Sequence, residues 1–278
     1  MTEQETEHNM LMQLIEKDCY VGIKEKIEYP PVCLSMGEKV LKSDKGDTIL
    51  PIPIGTYGNL SVVTAPPKTK KTFFISLLAS VYLSGDNIYG GKIKGHRGDG
   101  SLVHFDTEQG LWHCQKVFKR LYDMDSNIDS KKYHTFGLRS INYKTRIQFI
   151  EYYLSQKINR PSLVIIDGIA DLCSDANNIQ ESNEVVQKLM EWSAKYKVHI
   201  INVIHQNFGS TKLGTGHLGS FLEKKAETVI SLEANTVNKE WVTVRCGRSR
   251  GYAFEKFSFE VNERGLPIVV GNLYDPLE

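Results

Sequence analysis

Long apolar runs are missing from this sequence: none approaches the roughly 18–20 residues that a membrane-spanning helix needs. Residues 1–8 are polar and acid-rich, which speaks against a secretory signal. Charge of one sign is missing too. Lys plus Arg number 34 and Asp plus Glu 33, a net charge of +1, so bulk charge advertises neither a nucleic-acid nor a membrane partner. Cysteines are few (5), odd in number, and never spaced as CxxC. That excludes a disulfide scaffold, argues against a structural zinc site and fits a reducing, cytoplasmic compartment. No internal repeat or low-complexity tract is visible, and a 41% hydrophobic share excludes global disorder.

What is present is an ordinary globular composition over 278 residues, enough for one large domain or one domain with a small appendage. Residues 2–18 set Met10, Leu11, Leu14 and Ile15 at helical spacing. So narrow a stripe needs a partner surface. Residues 29–59 carry Pro30, Pro31, Pro51, Pro53, Gly55 and Gly58 with little periodicity, and read as an extended linker. The expected division is a helix plus linker over 1–54 and one α/β domain over 55–278.

From residue 60 the pattern changes. Apolar strands at 60–63, 102–105, 163–166 and 199–204 alternate with helical stretches at 73–83, 111–122, 146–156 and 183–196. This alternation predicts a mainly parallel central sheet flanked by helices. After about residue 226 the chain is strand-rich (228–232, 241–245, 256–261), which predicts antiparallel strands extending that sheet.

The stretch that carries most chemistry lies between the first of these strands and its helix. Ala65, Pro66, Pro67, Lys68, Thr69, Lys70, Lys71 and Thr72 follow the frame GxxxxGK[ST] of a phosphate-binding loop, with Ala65 and Lys70 at the two glycine positions. Amides at a helix start present partial positive charge to phosphates. Lys71 would contact the β- and γ-phosphates, and the Thr72 hydroxyl would bind Mg²⁺. A side chain at position 70 must point away from the ligand. Two further strands end in carboxylates. The strand at 163–166 runs into Asp167 and Gly168, where a carboxylate can hold Mg²⁺. The strand at 102–105 runs into Asp106-Thr107-Glu108-Gln109-Gly110, where Glu108 can orient and deprotonate a water.

With these three features in order, the chain resembles the RecA-like P-loop NTPases over about residues 55–262. Within them it resembles the RepA and DnaB type of hexameric helicase ATPase carried by plasmids, phages and other mobile elements. The resemblance implies that residues 65–72 bind ATP, that Asp167 holds Mg²⁺ and that Glu108 is the catalytic glutamate. It makes the strand ending at Asn202–Asn207 a sensor, with His205 or Gln206 reading the γ-phosphate. It makes the Gly/Ser/Thr-rich loop 208–216 a channel loop whose Lys212 touches the phosphates of single-stranded nucleic acid, DNA before RNA. It also makes Arg248 and Arg250 an arginine pair reaching the ATP of an adjacent subunit, which implies a homo-oligomer, a hexameric ring. Three readings stay open: a helicase or translocase motor, a regulatory or recombination-accessory ATPase that assembles on DNA without unwinding it, and an ATP-gated scaffold whose glycine-free loop does not turn over.

Overall fold

The computed structural model describes residues 3–44, 46–85, 93–156, 161–206, 214 and 216–270. The chain divides into two compact units, Met1–Pro30 and Pro31–Glu278. The first contains the expected N-terminal helix, α1 (Glu3–Cys19), with Met10, Leu11, Leu14 and Ile15 exposed. Among the described residues no helix is long and apolar enough to cross a membrane.

The second unit opens with β1 (Val32–Leu41) and β2 (Thr48–Thr56), then β3 (Leu60–Ala65), α2 (Lys71–Ser84), β4 (Ile93–Gly95) and β5 (Ser101–Asp106). It continues through α3 (Leu111–Met124), β6 (Tyr133–Gly137), α4 (Tyr143–Ser155), β7 (Pro161–Asp167), α5 (Ile179–Tyr196) and β8 (His199–His205). It closes with α6 (Gly216–Lys225), β9 (Thr228–Ala234), β10 (Val242–Ser249), β11 (Phe257–Val261) and β12 (Pro267–Val270).

The stretch expected to be an extended linker is therefore mostly a hairpin. β1 pairs antiparallel with β2 and, on its other side, with β4. Cys33, Leu34, Met36, Ile52 and Ile54 are buried in the core. Their alternation is interrupted by register shifts in β1 and by Pro51 and Pro53 in β2, which hid the strand period in the sequence.

Among the described residues, the main sheet runs β12-β11-β10-β9-β3-β8-β7-β5-β6. Pairing is parallel from β9 through β6 and antiparallel from β9 to β12, as the sequence pattern predicted. Each parallel strand is covered on both faces, and its side chains alternate between two cores. Val63 and Ala65 face one core while Leu60 and Val62 face the other; Leu163 and Ile165 oppose Val164 and Ile166 in the same way. The first core holds α2, whose residues from Phe74 to Leu83 are all buried. A helix apolar on nearly every side needs cover on every side. The main sheet supplies one side, and the β1, β2 and β4 side chains of the same cluster supply another. β4, the strand that joins this hairpin, packs directly on α2, the helix that begins at the loop 65–72.

Two buried histidines belong to this scaffold. His199 is held between the Ser61 hydroxyl (2.9 Å) and the Thr56 carbonyl (2.9 Å), and a side chain at Gly55 would meet its ring. His104 packs edge-on against Phe118, 5.0 Å between centroids, with Nδ1 3.2 Å from the Tyr133 hydroxyl. Burial pushes the pKa of His104 down to about 3 and that of His199 down to about 4. Both are neutral when folded, whereas the unfolded chain takes up protons near pH 6.5. Stability is therefore retained above pH 6.5 and lost as pH falls through the folded values. The contribution of each histidine to urea-unfolding stability should change little from pH 7.5 to 6.5, then decline by about 1.4 kcal/mol per pH unit, against an opposite contribution from any buried acid whose pKa is raised. His199→Gln should flatten that decline; an unchanged slope would remove His199 as a source.

Candidate active site

The parallel strands align their C-terminal ends along one edge. Ala65 of β3 is level with His205 of β8, and Asp106 of β5 is level with Asp167 of β7. This register gathers the groups that the sequence left far apart. The Lys71 ammonium donates to Nδ1 of His205 at 2.7 Å. Nε2 of His205 lies 3.3 Å from Oε1 of Glu108. Lys71, His205 and Glu108 therefore form a chain of contacts spanning β3, β8 and β5. With Nδ1 accepting from the ammonium, the imidazole proton sits on Nε2 and points at the carboxylate.

The electrostatics follow from burial and proximity. Lys71 is only 8% exposed, and burial lowers its pKa against the opposing pull of Glu108 and Asp167. The His205 imidazole beside Glu108 holds that carboxyl below its ordinary range, with Lys71 adding a smaller effect. Asp167 behaves oppositely: burial, reinforced by Asp106 and Glu108, pushes its pKa up to about 8. Its Oδ2 is buried with no hydrogen-bond partner among the described residues. An orphaned carboxylate oxygen beside a helix start suits a hard cation. The Thr72 hydroxyl, at the first turn of α2, likewise makes no hydrogen bond among the described residues. No group of three His, Cys, Asp or Glu among them forms a ready-made metal cage. The residues therefore fit Mg²⁺ held by one or two protein oxygens and by phosphates.

The loop itself resolves the missing glycines. Ala65 is the buried last residue of β3, and its carbonyl accepts from the Gln206 amide at 3.0 Å. It does not have a positive φ, so this position does not need glycine. The left-handed residues are Lys68 (φ 65°) and Lys70 (φ 55°, ψ 30°). A side chain in that region costs about 1–2 kcal/mol. Lys70 turns its side chain away from the site, as position 70 requires, and donates to the Glu240 carbonyl at 2.8 Å. It is the N-cap of α2 but makes no side-chain cap, so the first helical amides keep their capacity for an anion. Pro66, Pro67 and Lys68 are exposed, and Thr69 closes the turn by donating its hydroxyl to the Pro66 carbonyl at 2.8 Å.

Several supporting residues escaped the sequence reading. Asp106 is fully buried; its Oδ1 accepts from the Glu108 and Gln109 amides at 3.0 and 2.8 Å, and its Oδ2 from Gln109 Nε2 at 2.7 Å. This fixes the turn that presents Glu108. Its signal was available, since it ends an apolar strand just as Asp167 does. Thr107 ties that turn to β7, donating to the Asp167 and Gly168 carbonyls at 3.1 and 2.8 Å. Gly168 has φ 98°, and a Cβ there would lie 2.6 Å from Glu108 Cγ. Arg120 clamps the start of α2, donating to Ser76 Oγ at 2.9 Å and the Thr72 carbonyl at 3.4 Å, with its guanidinium 3.9 Å over Phe73. Nothing in the local sequence marks it.

Of the other expected site residues, Gln206 is buried against β3, donating to Thr64 Oγ1 at 3.1 Å. Asn207 and Lys212 lie outside the described residues. Arg248 and Arg250 are not brought to the cluster. Ser249 pairs with Thr228, and Thr228 with Ser61, near the start of β3. That level is about 13 Å along the strand from Ala65. The Arg250 guanidinium donates to the Lys225 carbonyl at 3.1 Å, while Arg248 is exposed and makes no hydrogen bond or ion pair among the described residues.

A parallel sheet carrying a lysine-bearing loop at the head of a buried helix, with carboxylates at the neighbouring strand ends, is the fold of a P-loop ATPase domain. A family model described as an AAA domain matches residues 54–210, more than half of the sequence, and the chain belongs to that family. The match spans Lys71, Glu108, Asp167 and His205. Among solved structures, the chain is similar to the ATPase domain of another protein, with a TM-score of 0.57 and 15% identity over 78% of this chain and 86% of that one. A comparison with curated proteins finds no match.

Two substitutions check the assignments. Lys71→Ala should weaken binding of a fluorescent ATP analogue by about 100-fold or more; unchanged affinity would remove the phosphate-loop role. Glu108→Gln should leave that affinity within about twofold and lower turnover by about 10²–10⁴. Normal turnover would remove the catalytic role.

Proposed function

We propose that this ATPase domain is a motor acting on single-stranded nucleic acid, a ring helicase or translocase of the RepA and DnaB type found in mobile elements. The observation that carries the reading is the separation of charged groups onto opposite edges of one sheet. Lys71, His205, Glu108 and Asp167 stand at the C-terminal edge, and Arg248 and Arg250 stand at the other. The arginines cannot serve their own site, so their use as transition-state cations requires a neighbouring subunit. A ring repeats that contact around a closed circle, and a hexamer is the form that the resemblance favours.

In this reading the Lys71 ammonium leaves His205 for the ATP phosphates, and the α2 amides receive the same anion. Asp167 and Thr72 would hold Mg²⁺, which when bound would neutralise phosphate charge. Glu108 accepts the proton of the attacking water. His205, now facing the γ-phosphate in place of Lys71, loosens its hold on Glu108, and the carboxylate becomes a stronger base. Gln206, hydrogen-bonded to the end of β3, relays the change into the segment after it, where Lys212 would meet nucleic-acid phosphates.

A second reading rests on the glycine-free loop: a domain that holds ATP and switches without turning it over. One experiment separates them, ATP hydrolysis with and without single-stranded DNA while particle mass is followed. Stimulation together with assembly is expected for the motor. Tight binding with no turnover under either condition would replace it with the scaffold. For the shared site, Arg248→Ala mixed equally with wild type should lower activity below the half expected from dilution, and Arg250→Ala should do the same. Simple dilution for both would remove the arginine role in trans.

A further inference from the structure

Among the described residues, the non-glycine positions with positive φ are Lys68, Lys70 and Lys197, and two of these stand in the loop 65–72. Strain of this kind persists where surrounding contacts over-determine it. At Lys70 the contact is visible. The ammonium donates to the Glu240 carbonyl at 2.8 Å and lies 3.6 Å from the Glu240 carboxylate. The carbonyl is the stronger partner, because the carboxylate side chain is 81% exposed and its pairing is screened.

The anchor itself is held by a set of hydrogen bonds. Glu240 belongs to the turn between β9 and β10, and that turn is built on asparagine side chains. Asn235 Oδ1 accepts from the Val237 and Asn238 amides at 2.9 Å each, and Asn238 Oδ1 accepts from the Glu240 amide at 3.0 Å. The Asn235 amide donates to the Trp241 carbonyl at 3.1 Å, and Trp241 Nε1 donates to Glu260 Oε2 at 2.8 Å. The loop end of the tether is also defined. The Lys70 carbonyl accepts from the Phe73 and Phe74 amides at 3.0 and 3.2 Å, so the residue in the left-handed region is the one that starts α2.

We propose that Lys70 is a positioning residue for nucleotide binding: its ammonium, fixed on the Glu240 carbonyl, locks the left-handed backbone that aims Lys71 and the first α2 amides at the phosphates. The inference rests on the reading of 65–72 as a phosphate loop. Glycine at this position adopts the same backbone freely but also samples others. Lysine reaches it at a cost and is then held there by a contact some 170 residues away in sequence. The tether orders the loop before the ligand arrives, which favours affinity.

The test uses the full chain with Lys70→Gly, Lys70→Ala, Lys70→Arg and Lys71→Ala. Readouts are the Kd of a fluorescent ATP analogue, the KM and kcat for ATP, and the thermal midpoint. Lys70→Gly and Lys70→Ala should raise Kd and KM about tenfold with kcat within about twofold. Lys70→Arg, which can still donate to the carbonyl, should restore wild-type affinity. Glycine fits the backbone, so Lys70→Gly should keep the wild-type midpoint and its affinity change reports the tether. Wild-type Kd in Lys70→Gly alongside lost binding in Lys71→Ala would overturn the positioning role and leave the phosphate loop standing. Undiminished binding in Lys71→Ala would overturn both. Equal loss in Lys70→Arg and Lys70→Gly would also overturn the tether.

Discussion

The site depends on keeping one ammonium, that of Lys71, charged in a place largely removed from water. Burial lowers its pKa. The carboxylates of Glu108 and Asp167, which follow or end β5 and β7 at the same edge, pull the other way. No single partner neutralises Lys71 outright. His205 takes the hydrogen bond, and Glu108 and Asp167 act through space. A charge held by a ring nitrogen is one that a phosphate can draw away. A direct carboxylate salt bridge would hold it more tightly.

The same edge crowds three acids, Asp106, Glu108 and Asp167, and the structure gives them different surroundings. Asp106 accepts three hydrogen bonds and shapes the Glu108 turn. Glu108 reaches toward His205, which lowers its pKa. Asp167 is left buried with an unpartnered oxygen and a raised pKa. This is the usual way in which neighbouring titratable groups acquire separate roles.

β10 links the two groups that the proposals for Lys70 and the arginines rest on. Its leading turn carries the Glu240 carbonyl that receives Lys70, and its far end carries Arg248 on the opposite edge. The antiparallel extension of the sheet therefore also gives the phosphate loop a fixed point. β4 of the smaller sheet and α3 pack on α2 as well.

The sequence by itself determined the alternating α/β order, the parallel sheet with its antiparallel tail, and the candidate residues Lys71, Glu108 and Asp167. Those features are local: apolar runs of strand or helix length, two of the strands leading into carboxylates, and a lysine-rich loop before a helix. It misread 29–59 as a linker because prolines and register shifts in β1 and β2 blur the strand period. Only the tertiary structure decided that His205 lies between Lys71 and Glu108, that Arg120 clamps α2, and that Lys70 points out to Glu240. It also decided that Arg248 and Arg250 face the wrong edge for their own site. Each of these depends on which strand lies beside which, in what register and direction. Which strand lies beside which is set by long-range packing, which the local pattern of residues does not fix.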